Sequence, residues 1–116
     1  MNPNLIKIDN DEYIKKDSIK KEDPIILSSQ EAPWEIGKNY LIRTVTMIDT
    51  GKLVAVTPRE LVLEDAAWIA DTGRFAQSII NCDFNEVEPF PIGRLIIGRG
   101  TVIDAIQILV LPRKQK

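Results

Sequence analysis

Gly51-Lys52-Leu53-Val54-Ala55-Val56, then Thr57-Pro58-Arg59-Glu60, then Leu61-Val62-Leu63-Glu64-Asp65-Ala66 is the stretch that decides how this chain is read. Apolar and β-branched residues fill the outer runs, and Pro58 presets φ for a turn between them, so the stretch predicts strand, tight reversal, strand. A second stretch, Leu95-Ile96-Ile97-Gly98-Arg99-Gly100 leading into residues 102–111, repeats the plan. Upstream, Tyr40, Ile42, Thr44, Thr46 and Ile48 alternate with Leu41, Arg43, Val45 and Met47. That period of two predicts a strand over 40–48, reversed at Asp49-Thr50-Gly51-Lys52 with Gly51 at positive φ.

Downstream, Ala66-Ala67-Trp68-Ile69 continues the third strand or starts a fourth. Phe75, Ala76, Ile79 and Ile80 fall on one helical face, predicting a helix of about two turns over 74–81 with Asp71 or Thr72 as cap. Glu86-Val87-Glu88 reads as a brief strand that Pro89-Phe90-Pro91 ends. Residues 95–97, apolar throughout, read as a strand buried on both sides, and residues 102–111 as the final strand, ended by Pro112 and a basic tail. The expected fold is mostly β: a small, strongly bent β-barrel over residues 34–116, with one short α-helix and an extended N-terminal arm or tail over residues 1–33.

The arm is charge-dense, with five Lys against seven acids, and no hydrophobic pattern persists in it. It reads either as a tail or as an arm that orders against a neighbouring subunit, with Ile25, Ile26 and Leu27 as the anchor. The remaining chain carries ten basic and ten acidic residues. Neither part is basic, which argues against a protein that holds nucleic acid through its phosphates. Histidine is absent, removing the commonest general base and metal ligand, and the single Cys82 allows no internal disulfide. No leader-like or membrane-length apolar run occurs, so the expectation is a cytoplasmic protein with no membrane partner. No catalytic constellation, metal-ligand spacing or cofactor motif is found.

The run from Gly51 to Ala66 resembles the first Sm motif, in which a Gly opens the second strand and an apolar triplet leads into an acid and a small residue. Ile97-Gly98-Arg99-Gly100-Thr101-Val102-Ile103 is similar to the second motif, with one extra Gly. The likeness spans residues 39–111, with an insertion at about 70–91 carrying the helix. It implies an Sm-like barrel whose copies pair edge strands and bind ligands at two turn loops. The motif's asparagine falls on Glu60, its stacking position on Arg59 and its upstream aspartate on Val56, while Arg99 fits its arginine. Those departures argue against RNA. The whole chain also resembles small uncharacterised proteins of phages and prophages. Some phage proteins of this size and barrel type sequester cyclic nucleotide immune signals.

Arg99, set between Gly98 and Gly100, is the leading ligand candidate, because a guanidinium pairs bidentately with phosphate. Arg59 joins it through the resemblance, and Arg74 through the helix start after Gly73. Ile106 and Ile108 on the final strand are expected at a subunit interface, since a long apolar edge must be paired or covered. Arg43 is expected on an exposed face or paired with Glu64, and Asp104 either solvated or paired with an arginine of a neighbouring chain. Trp34, Trp68 and Phe90 offer a base-stacking platform or core packing. Asp83, Glu86 and Glu88 lack the spacing of a calcium loop and read as solvated. The expected function is a non-enzymatic homo-oligomer, phage-encoded by its resemblance, that binds a cyclic nucleotide or other small phosphate. A structural assembly protein with no ligand is the alternative, and RNA binding the third reading.

Overall fold

The structure is a computed structural model and describes residues 33–116, within one compact unit, Pro33–Lys116. The fold is mostly β with one short helix. Its elements are β1 (Asn39–Thr44), β2 (Ile48–Val56), β3 (Glu60–Asp71), α1 (Phe75–Asn81), β4 (Glu86–Pro89), β5 (Leu95–Gly98), a 3-10 turn (Arg99–Thr101) and β6 (Val102–Gln107). The expected arm, including Ile25, Ile26 and Leu27, lies outside the described residues except for Pro33.

The six described strands belong to one antiparallel sheet in the order β4-β3-β2-β1-β6, with β5 also paired to β3. The twelve-residue β3 serves two partners along the same side. Its first half, Glu60 to Leu63, pairs with β5, and its second half, Ala67 to Asp71, with β4. The division falls where β3 slips against β2: Thr50 faces Ala67 but Lys52 faces Glu64, so β3 carries one extra residue there. Asp65 takes the left-handed conformation at φ 51° within this bulge, and a bulge of this kind bends its strand.

Gly51 sits opposite the bend. A Cβ on it would lie 2.9 Å from the Leu63 Cβ and 3.3 Å from the Glu64 carbonyl oxygen. The residue is glycine because another strand passes over it. This corrects the expected reversal at residues 49–52: Asp49, Thr50, Gly51 and Lys52 lie inside β2, Gly51 is not at positive φ, and the chain turns at residues 45–47 instead. There Thr44 closes the loop, its N–H donating to the Met47 carbonyl at 2.8 Å and its Oγ1 accepting from the Met47 N–H at 3.0 Å.

The bend lets the two ends of the sheet share one core. Tyr40 and Ile42 of β1, Leu53 of β2, Leu61 and Leu63 of β3 and Ile97 of β5 are buried together, with Val102 and Ala105 of β6 packed on them. The sheet nevertheless does not close, because among the described residues β5 pairs only with β3 and β6 only with β1. The expected barrel is therefore a curled, open sheet. Its opposite face carries a second core of Leu41, Ala67, Ile69, Phe84, Val87 and Ile108, with Ile79 of α1 packed against it. β1 thus sends neighbouring residues into both cores, Tyr40 and Ile42 into the first and Leu41 into the second. Residues 95–97 are not buried on both sides: Ile97 is buried while Ile96 stands 64% exposed.

Two ends also differ from expectation. The final strand stops at Gln107, and Ile108 turns into the second core at 8% exposure, which removes it from any subunit interface. The basic tail returns across the molecule, where the Lys116 N–H donates to Val87 O at 3.0 Å on the outer edge of β4 and the Arg113 Nη1 donates to Ala66 O at 2.9 Å. Helix α1 begins after Arg74, with no side-chain cap. Asp71 instead braces the turn before it, its Oδ1 accepting from the Gly73 N–H at 2.9 Å.

Candidate functional site

The two turns expected to form a ligand site do meet. Thr57 shapes the first: its N–H donates to the Glu60 carbonyl at 2.9 Å, and its Oγ1 accepts from the Glu60 N–H at 2.8 Å. The second turn docks on it directly, with the Arg99 N–H donating to the Arg59 carbonyl at 2.8 Å and the Arg99 Nη1 to the Thr57 carbonyl at 2.7 Å. Part of the Arg99 guanidinium therefore clamps one turn to the other. Arg59 is exposed and forms no ion pair among the described residues. The Glu60 carboxylate accepts from Thr57 Oγ1 at 2.9 Å, which ties it to its own turn.

Gly98 and Gly100 are exposed, and neither has positive φ. A Cβ on Gly100 would meet nothing within 4 Å, and one on Gly98 only the Thr101 methyl at 4.0 Å. Their contribution is an uncluttered surface beside Arg99 rather than a backbone shape that only glycine adopts. Arg74 stands apart from this cluster, at a polar cleft of about 350 Å³ shared with Gln77, Asn81, Asp83 and Asn85.

The other charged candidates are paired within the chain. Arg43 and Asp104 are cross-strand partners, with Arg43 Nε donating to Asp104 Oδ1 at 2.7 Å and a second bond from Nη2 to Oδ2. These hydrogen bonds lower the Asp104 carboxyl below its usual range and raise the Arg43 guanidinium further. The Arg43 guanidinium carbon also lies 5.0 Å from the Phe75 ring centroid. The expected Arg43–Glu64 pair is thus corrected: Glu64 accepts from Arg94 Nε at 2.9 Å. Asp104 needs no neighbouring chain. Asp83 is not simply solvated, since the Lys116 ammonium lies 2.8 Å away and lowers its carboxyl below the usual range. Burial, with a smaller push from Asp83, raises the Cys82 thiol, so the thiol is held in its protonated, unreactive form.

The aromatic residues divide. Trp34 packs edge-on against Tyr40, with ring centroids 5.2 Å apart, and belongs to the first core. Trp68 and Phe90, 39% and 38% exposed, line one cleft of about 410 Å³ together with Met47, Asp49, Glu88, Pro89 and Leu95. Asp49 faces Trp68 across β2 and β3, and Trp68 faces Glu88 across β3 and β4, so the three form a row on one face of the sheet. Asp49 is only 7% exposed, no donor among the described residues reaches its carboxylate, and burial pushes its carboxyl up to about 6. Sequence reasoning missed this residue because Asp-Thr-Gly has turn composition.

No group of three or more acidic or cysteine side chains among the described residues is placed to hold a metal ion. No described helix is long and apolar enough to cross a membrane. No protein-family model matches the chain, no curated protein is similar to it, and no solved structure matches it.

Proposed function

We propose that this protein is a non-enzymatic binding protein that self-associates along its free sheet edges and holds a small phosphate-bearing ligand, of the nucleotide class, at the paired Thr57–Glu60 and Gly98–Thr101 turns. The observation that carries the reading is the docking of the two turns, in which the Arg59 carbonyl accepts from the Arg99 N–H and the exposed Arg59 side chain shares the paired turns with the uncluttered Gly98 and Gly100. An exposed guanidinium at Arg59 suits one small anion, where a long polyanion would need an extended basic track. Arg74 belongs to a different cleft and is left out of the site. The phage resemblance makes a sequestered nucleotide signal the natural ligand to try first.

The test is calorimetric titration of the full chain with cyclic and linear nucleotides and short RNAs. Arg59→Ala is expected to weaken nucleotide binding by about ten- to hundredfold, the loss of one charge-assisted hydrogen bond, with no change in melting temperature. Arg99→Ala is expected to lose affinity and stability together, because its side chain also holds Thr57. If nothing in the panel binds, the phosphate reading fails. RNA binding with a steep salt dependence would replace it with an RNA-binding function.

A second reading, assembly without a ligand, is favoured by a different observation. Ile96 on β5 and Ile103 and Ile106 on β6 stand 64%, 65% and 47% exposed on two strands whose outer edges have no partner among the described residues. Both readings share self-association, and the titration separates them.

A further inference from the structure

We propose that the cleft walled by Trp68 and Phe90, with Asp49 in its floor and Glu88 at its side, binds the ammonium group of a small organic amine with an apolar body. The cleft is distinct from the paired turns and shares no residue with them. Its volume of about 410 Å³ suits a small molecule.

The chemistry of the lining selects the ligand. Among the described residues that line it, the two ionisable ones, Asp49 and Glu88, are acids, and none is Lys or Arg. Glu88 is already engaged, its Oε2 accepting from Gln115 Nε2 at 3.2 Å. Asp49 is not: it is nine-tenths buried, and no donor among the described residues reaches its carboxylate. A buried charge in that condition is costly unless a cation or donors reach it. Anions, including the phosphate proposed for the paired turns, are repelled by the same two groups.

The walls favour a cation over a plain donor. The face of an indole or phenyl ring attracts an ammonium through its quadrupole, most strongly where water is excluded. Met47, Pro89 and Leu95 complete an apolar lining for the carbon body of the amine. Burial holds the Asp49 carboxyl up at about 6, a cost that an ammonium beside it relieves. An unpaired aspartate among these residues is hard to account for by packing, since an asparagine or a leucine would fill the position without the charge.

The experiment is calorimetric titration of the full chain at neutral pH with protonated phenethylamine, with 2-phenylethanol and phenylacetate as controls of the same shape. The amine is expected to saturate, the neutral alcohol to bind at least about tenfold more weakly, and phenylacetate not to bind. Asp49→Asn keeps the shape of the floor and is expected to lower amine affinity at least about tenfold. Glu88→Gln changes an exposed residue that cannot unfold the chain, and is expected to lower it by about threefold through the lost long-range attraction. Equal binding of amine and alcohol overturns the proposal. So does amine affinity unchanged in both variants, or no saturation up to about 10 mM amine.

Discussion

Asp49 and Thr50 are neighbours on β2 whose side chains go to opposite faces of the sheet, Asp49 into the Trp68 cleft and Thr50 to the face of Ala67, and neither has a hydrogen-bond partner among the described residues. The Thr50 hydroxyl is fully buried and makes no hydrogen bond. Asp49 has the larger consequence because it titrates. Its folded carboxyl is raised to about 6 from an ordinary value near 3.8, so between those values the folded chain holds a proton that the unfolded chain has released. Lowering the pH through this window therefore stabilises the fold, and raising it through 6 removes that contribution. The change is on the order of 2–3 kcal/mol. Denaturant titrations at about pH 4.5 and pH 8 should show the native chain losing this stability as pH rises, while Asp49→Asn shows a flatter profile and is the more stable of the two at the higher pH. Equal pH profiles for the two proteins would mean that Asp49 is charged in the fold at no cost.

At the scale of elements, the β2–β3 pair decides the fold. The bulge at Asp65 bends β3 toward β5, and Gly51 gives way beneath it. Gly51→Ala sets a methyl group 2.9 Å from the Leu63 Cβ, which is attached to backbone and cannot swing aside. The expected cost is about 1–3 kcal/mol, read as a lower urea midpoint with an unchanged slope. An unchanged midpoint would show that the bend tolerates a side chain at its inner surface. Much of this element was legible from sequence, since Thr57-Pro58-Arg59-Glu60 is a local turn signal and Leu61-Val62-Leu63 a local strand signal. The brief strand at β4 and the helix after Gly73 were legible for the same reason. The turn at residues 45–47 was not, because Val45-Thr46-Met47 is good strand composition and Asp-Thr-Gly is better turn composition. Only the approach of β3, a tertiary fact, explains why the glycine is elsewhere. The same limit hid the candidate cleft: Trp68, Phe90 and Asp49 come from three separate segments, and nothing local marks them as neighbours. Arg59 and Arg99, by contrast, lie in turns that could be recognised one at a time, although the clamp of Arg99 onto Thr57 could not.

At the scale of the whole described region, the curled sheet has two cores and, among the described residues, two unpaired edges. The outer side of β4 is covered by the returning tail through Val87 and Lys116. The outer sides of β5 and β6 have no such cover among the described residues, and they display Ile96, Ile103 and Ile106. An edge strand with exposed apolar side chains is a template for pairing, and proteins that remain single copies blunt such edges with charge or proline. Asp104 does not blunt this one, because Arg43 neutralises it from within the chain. Of the interface residues expected from sequence, Ile106 keeps that role in the proposal and Ile108 has gone to the core. Self-association is the central claim, and a native mass spectrum of the full chain, purified from cells and sprayed at micromolar concentration, tests it most directly. The account predicts ions at whole multiples of the 13.1 kDa chain mass, with an added mass where a phosphate-bearing ligand is retained. A spectrum containing only the 13.1 kDa species would contradict it.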